Sequence, residues 1–327
     1  MIAVLKISVI VNAHNRKQYL AGALKSIAAQ SLEREKYEVI VVKNFDDQES
    51  DSFSEENGYR LIRVPDNTIV GYDLFTGISS SSGEVISFLD DDDLFDREKL
   101  KIVYDVFQNP DICYMRNELE YIDTNGKLVG SRRIPGIRGD RTLKCQRLGR
   151  KAAFLNRVKA GFNLSSISIR RNILDGKILD FLENMLVHST DTFFLCCALD
   201  QNLSIFLTDR KLTKYRVGNS ASRTTGKDRT SVMKTIDFFN NLISTYGEFR
   251  DMFGGAAPEY LETRICAQKV AREIRVLRNK IEIDRDFSPS KCIGRAIRTG
   301  DLLLCLDLVI YFRTRFFWSF WHLMEGR

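Results

Sequence analysis

Through residue 220, apolar runs of strand length alternate with apolar positions at helical spacing, the pattern of a layered α/β fold. Residues 6–11 (KISVIV) predict a buried strand. Tyr19, Leu20, Ala23, Leu24 and Ile27 then recur at helical spacing, which predicts a helix over 17–30. Residues 37–42 and 59–64 predict two further strands, the second stopped by Pro65-Asp66-Asn67. A helix over 72–82 ends at Gly83, and a strand over 84–89 (EVISFL) runs directly into Asp90-Asp91-Asp92-Asp93. Residues 99–107 are helical again. Residues 132–150 are basic and Gly-rich without periodicity, and read as a mobile loop or lid. Residues 164–169, 203–207 and 212–217 predict strands, and Asp191 opens the apolar helix DTFFLCCAL. Short strand–helix–strand joins imply a mainly parallel sheet flanked by helices. Beyond a polar stretch at 222–231 the periodicity is helical to the end. The expected division is therefore an α/β domain over 1–225 and a helical extension over 226–327, with the boundary near Gly226.

The length of 327 residues suits this division. A hydrophobic fraction of 44% with 28% charged residues excludes collagen-like and disordered classes. The net charge of +6 permits anionic partners. No nucleic-acid-binding motif accompanies the basic residues, so nucleic acid is not an expected partner. The seven cysteines contain no C-x-x-C pair and read as free, mostly buried thiols of a reducing compartment. The N-terminus lacks a signal-peptide cleavage pattern. The apolar run LLLCLDLVIYF is too short to span a bilayer and contains Asp307. The expected location is the cytoplasm.

In a parallel α/β sheet, ligands bind outside the carboxyl ends of the strands. Three polar clusters fall there: 12–15, 43–47 and 90–93. Four carboxylates in a row repel one another, so a fold keeps them only with positive charge among them or in full contact with water. Carboxylate oxygens suit hard divalent cations such as Mg²⁺ or Mn²⁺, which can neutralise a diphosphate. The alternative is an acidic loop capping the helix that starts near Asp96.

The segments ISVIVNAHNR, VIVVKNFDD, GISSSSGEVISFLDDDD and TDTFFLCCAL, in this order and spacing, resemble family 2 glycosyltransferases of the GT-A fold. The resemblance covers about residues 5–220. It implies an inverting, metal-dependent transfer of a sugar from a nucleotide-diphosphate donor, a UDP-sugar, to a hydroxyl acceptor, either a glycan or a lipid-linked sugar. By position, Asn12 and His14 would line the nucleoside pocket, Asn44 would face the base, and Asp91 would contact the ribose or sugar-phosphate. Asp92, with Asp90 beside it, would hold the Mn²⁺ or Mg²⁺, and Asp191 would be the general base. Without the resemblance, Asp191 reads as a helix N-terminal residue. The sequence departs from the family pattern at Lys43, where Asp is usual, and at Leu74-Phe75, where Arg-Asn is common. It also lacks a His in YRVGNSAS. Lys43 reads either as a counter-charge to the diphosphate or as a solvated lysine. The rival functions are a nucleotidyltransferase with an Asp-bound metal and a non-catalytic nucleotide-sugar-binding homologue.

Two further features stand apart from this resemblance. Cys196-Cys197 read as core, and His188 carries no assigned role. In the extension, Arg264, Lys269, Arg272, Arg275, Arg278, Arg295 and Arg298 precede Arg313, Arg315 and the aromatic set Phe316, Phe317, Trp318, Phe320 and Trp321. Basic and aromatic residues on short apolar helices fit attachment to an anionic membrane surface, here as a peripheral protein on the cytoplasmic face. The alternative is a soluble appendage packed on the core or on a second subunit.

Overall fold

The computed structural model describes residues 5–130, 136–146, 148–201, 203–218, 228–281 and 287–325, the last stretch with side chains to Phe316. It divides into two compact units, one formed by residues up to 146 together with 159–218, the other by 148–158 together with 228–325. The expected boundary near Gly226 lies outside the described residues.

Among the described residues, the first unit is built on one nine-stranded sheet. Strands β1 (Ile7–Ala13), β2 (Tyr37–Lys43), β3 (Arg60–Arg63) and β4 (Val85–Asp90) form its parallel half, in the order β3-β2-β1-β4. β1 and β4 are apolar almost throughout because helices cover both faces of a parallel sheet. Helix α1 (Lys17–Ala28) buries Leu20, Ala23, Leu24 and Ile27 against it. Helix α2 (Gln48–Glu56) joins β2 to β3 and escaped the periodicity because it buries only Ser50 and Ser54 fully.

Helix α3 (Val70–Ser79) has weak propensity because it holds two glycines, and the packing requires both. A Cβ on Gly77 would stand 2.6 Å from Ile10 Cγ2 of β1. A Cβ on Gly71 would stand 2.0 Å from the Leu182 carbonyl oxygen of helix α6 (Gly176–Asn184), and the Gly71 N–H donates to Leu186 O at 3.0 Å.

Beyond β4 the sheet turns mixed. Chain order continues through strand β5 (Leu94–Phe95), helix α4 (Lys99–Val106), strand β6 (Ile112–Ile122) and strand β7 (Arg141–Lys144). Strand β8 (Ile167–Arg170), helix α7 (Thr190–Asp200) and strand β9 (Ser204–Arg216) complete the unit. β8 lies antiparallel to both β4 and β6, β6 runs parallel to β9, and β7 and β5 both pair antiparallel with β9. β9 is one strand where the sequence predicts two. Asp209, Arg210 and Lys211 are exposed at an irregularity in its pairing with β6, which breaks the apolar pattern without ending the strand. The lid reading of 132–150 gives way at its described residues, since 141–144 form β7. Cys196 and Cys197 are fully buried in α7, as read.

Helix α5 (Arg150–Arg157) belongs to the second unit, with α8 (Arg229–Met252), α9 (Ala257–Arg278), α10 (Pro289–Thr299) and α11 (Leu302–Glu325). Its core joins Val270 and Leu277 of α9 to Cys292 and Ala296 of α10 and to Leu304, Leu308 and Tyr311 of α11. Three of the arginines read as facing a membrane turn inward instead. Arg264 donates to Asn156 Oδ1 at 3.1 Å and to the Tyr246 hydroxyl at 2.9 Å. Arg272 pairs with Glu273 at 3.2 Å, and Arg295 binds Thr263 and Glu262, both at 3.0 Å. Such burial is tolerated because each guanidinium finds acceptors. Among the described residues, no helix is long and apolar enough to cross a membrane.

Gly71→Ala is expected to destabilise the protein by about 2–3 kcal/mol, because the added methyl meets backbone oxygens that cannot rotate away. Urea unfolding followed by circular dichroism checks this, and an unchanged midpoint would show that α3 and α6 do not pack as described.

Candidate functional site

The polar clusters expected at the strand ends do meet there. β1 and β4 are in register with Asn12 beside Asp90, and the Asp91 N–H donates to Asn12 O at 3.2 Å. Asn15 adopts a left-handed conformation (φ 59°) that turns the chain out of β1 into α1. Asn44, at the end of β2, locks that turn. Its Oδ1 accepts from the Asn15 N–H at 2.9 Å, and its Nδ2 donates to Asn15 Oδ1 at 3.0 Å. His14 Nδ1 lies 3.4 Å from Asp73 Oδ2. Asp73 is buried on α3 and accepts from the Thr68 hydroxyl at 2.6 Å, and burial raises its pKa. Gly77, which lets α3 lie close on Ile10 of β1, thus helps set how closely Asp73 approaches the β1 turn. Asn12 Oδ1 is buried with no hydrogen-bond partner among the described residues.

Each tetrad carboxylate has its own surroundings. The Arg16 guanidinium binds Asp92 Oδ2 at 2.6 Å through Nη1 and Asp91 Oδ1 through Nη2. Arg216, at the end of β9, takes the other side. Its N–H donates to Asp93 Oδ1, its Nε to Asp92 O, both at 2.9 Å, and its Nη1 to the carbonyls of Asp123 and Thr124. The same guanidinium lies 4.3 Å from the centre of the Tyr19 ring. Burial pushes Asp91 up to about 7 despite Arg16, and burial together with Asp92 pushes Asp93 up to about 6. Asp90 is raised well above the carboxylate range, by burial first and then by its three acidic neighbours. Burial would lower the Arg16 pKa, but Asp91, Asp92 and Asp90 hold it above its ordinary value. Asp91 Oδ2 is buried without a partner among the described residues.

Asp191 reaches this cluster through one residue. Asn163 is 7% exposed and left-handed (φ 65°). Its backbone N–H donates to Asp191 Oδ2 at 3.0 Å and its Nδ2 donates to Asp93 Oδ2 at 2.8 Å. The second Asp191 oxygen accepts the Thr192 N–H at 2.7 Å. The floor of the site is a buried polar chain. Ser165 Oγ accepts the Asp90 N–H at 3.0 Å, and Ser165 O accepts from the Thr213 hydroxyl at 3.0 Å and from Lys99 Nζ at 3.3 Å. Lys99 is fully buried and also donates to Asn117 Oδ1. Burial first, then Arg116, lowers its pKa to about 7.

Sequence reasoning assigned no role to Arg16, Asp73, Lys99, Asn163 or Arg216. Arg16 had a signal, because a run of four aspartates requires a cation and Arg16 closes the ISVIVNAHNR segment. The others come from distant segments and had none. Lys43 is not the solvated lysine of the second reading. It is 4% exposed and paired with Asp51 of α2. His188 is exposed.

Among the described residues, no three His, Cys, Asp or Glu side chains converge to cage a metal. A Mg²⁺- or Mn²⁺-type ion shared with substrate phosphates needs only one or two protein carboxylates. The donor chemistry of Asp90 and Asp92, with the unpartnered Asp91 oxygen alongside, fits that limited role.

Residues 8–167 match the family model described as Glycosyl transferase family 2. An uncharacterized glycosyltransferase of Nostoc sp. is 23% identical over 260 residues, covering 74% of this chain and 77% of that protein. Among solved structures, S. aureus TarS 1-349 in complex with UDP-GlcNAc superposes with a TM-score of 0.60 at 15% identity, covering 95% of this chain and 92% of the other. The mannosyltransferase PcManGT from Pyrobaculum calidifontis, in complex with GDP-Man and Mn²⁺, superposes with a TM-score of 0.54 at 13% identity, covering 98% and 84%.

The Lys99 amine makes stability depend on pH. Between about pH 7 and its unfolded pKa near 10.5, the unfolded chain carries a proton there that the folded chain does not, so stability rises with pH across this window and is lost as pH falls toward 7. The slope from this group is at most about 1.4 kcal/mol per pH unit. Urea midpoints of the wild type and Lys99→Met at pH 7.5 and 9.5 check this. The variant should show the smaller rise, and equal rises would place the amine in contact with water.

Proposed function

Because the chain belongs to glycosyl transferase family 2 and is a glycosyltransferase of the GT-A fold, we propose that it moves a sugar from a UDP-sugar to a hydroxyl acceptor, with inversion at the anomeric carbon and with the help of Mn²⁺ or Mg²⁺. The observation that carries the reading is the span made by Asn163, which ties a base candidate, Asp191, to the carboxylate cluster at the strand tip. The UDP-GlcNAc bound by TarS and the GDP-Man and Mn²⁺ bound by PcManGT support a nucleotide-sugar donor and a divalent ion.

In this reading Asn12 and His14 line the nucleoside pocket, the latter oriented by Asp73. Asn44, buried and with both polar atoms of its amide on Asn15, does not face the base directly and instead holds the β1 turn beside the pocket. Asp91 contacts the ribose or the sugar-phosphate. Asp92, with Asp90, would hold the ion, which supplies Lewis-acid stabilisation of the leaving diphosphate. Arg16 has 37% of its side chain exposed at the rim of the tetrad, so it is the cation this chain offers to the diphosphate. Asp191 takes the proton from the acceptor hydroxyl as that oxygen attacks the anomeric carbon on the face opposite the leaving group. Two backbone N–H groups fix its orientation. The acceptor is a glycan or a lipid-linked sugar.

Release of nucleoside diphosphate, in place of pyrophosphate, is the product expected and separates this reaction from nucleotidyl transfer. Asp191→Asn keeps an acceptor for the Asn163 N–H, so donor binding should stay nearly intact while turnover falls by a factor on the order of 10²–10⁴. Equal loss of both would make Asp191 structural. Asn163→Gly tolerates the left-handed backbone and deletes only the link to Asp93, so turnover should fall on the order of 10-fold to 10²-fold with KM for the donor little changed. Unchanged turnover would leave the link without a catalytic part.

A further inference from the structure

In the second unit, α10 and α11 pack on each other through Cys292, Ala296, Leu304 and Leu308, and each leaves an outward face of unusual character. On α11, Leu302 (78% exposed), Leu306 (55%) and Val309 (64%) follow at helical spacing, flanked by Leu303 and Phe312. On α10, Ile297 is 74% exposed beside Ile293. Exposed alongside these are Lys291, Arg298 and Arg313, and no exposed carboxylate accompanies them on either helix through Phe316. Asp301 is buried and caps α11, accepting from the Leu303 and Leu304 N–H groups. Asp307 is half-buried, with a pKa raised by burial and by Asp301. Water-soluble surfaces rarely gather so many large apolar side chains without a partner for them.

We propose that the outward faces of α10 and α11 lie in the plane of an anionic phospholipid surface, with the apolar side chains at the acyl boundary and the cations at the phosphates. The charge decides between occupants. A symmetric contact of these faces with a second copy would crowd Lys291, Arg298 and Arg313 of both copies together where neither helix offers an exposed carboxylate, which like charges resist. An anionic bilayer satisfies both the leucines and the cations. Among the described residues no helix is suited to cross a bilayer, so the attachment is interfacial. The buried Arg272 and Arg295 and the half-buried Arg264, each turned to its own acceptors, take no part in it. The proposal does not depend on the sugar-transfer reading, because its test reads no activity.

The test is co-flotation of the full chain with vesicles of phosphatidylglycerol in phosphatidylcholine and with vesicles of phosphatidylcholine alone, at low and high salt. The expected result is flotation with the anionic vesicles, weakened by salt and at least ~10-fold weaker with the neutral ones. Leu306→Asp with Val309→Asp should abolish it while circular dichroism and the thermal transition stay unchanged. As a second variant, Arg298→Glu with Arg313→Glu should remove the preference for anionic lipid. No flotation of the wild type, flotation unaffected by both variants, or a dimer in light scattering that Val309→Asp dissociates would each overturn the proposal, the last in favour of a second copy.

Discussion

Four neighbouring carboxylates at the tip of a buried strand are the constraint around which the first unit is organised. Two like charges about 4 Å apart near a protein surface cost about 4 kcal/mol, so the run cannot stay ionised without help. The fold divides the problem. Arg16 bridges Asp91 and Asp92, while Asn163 and the Arg216 N–H hold the two oxygens of Asp93. The charge left over appears as pKa values raised by burial and mutual repulsion. A corner this crowded with negative charge is built to meet positive charge, and one Asp91 oxygen lies buried there without a partner among the described residues.

The surrounding elements are shaped by the same corner. Arg216 ends β9, Arg16 starts the turn into α1, and Asn163 stands in a left-handed conformation that ordinary residues resist. Lys99 and Asn117 bury polar groups beneath the tetrad where aliphatic side chains would pack more cheaply. Stability is spent on polar connections there, which is characteristic of a site whose geometry is held for chemistry.

The parallel half of the sheet was legible because both faces of β1, β2 and β4 are buried and their apolar runs are continuous. The mixed half was not. β6 carries Arg116 and Asn117 into the interior, where Arg116 pairs with Glu118 and Asn117 bonds Lys99 and Thr213, so its pattern shows no period. In the site, the strand-tip aspartates stood out by residue type and position, and Asp191 only through the family resemblance. Asn163, Arg216 and Lys99 were not, since each acts through a contact between segments remote in the chain. In the basic stripe of α9, Arg264 and Arg272 turn to acceptors on other helices while Arg278 stays exposed. Helical spacing puts arginines on one face but does not tell whether that face meets water or the acceptors of a neighbouring helix.

The account stands or falls on the tetrad being the seat of a cation and a nucleoside diphosphate. Calorimetric titration of UDP into the protein with and without Mn²⁺, repeated on Asp92→Asn, tests it most directly. Binding should require Mn²⁺ in the wild type and be lost in the variant. Binding that is equally tight without the ion, or that survives Asp92→Asn unchanged, would contradict it.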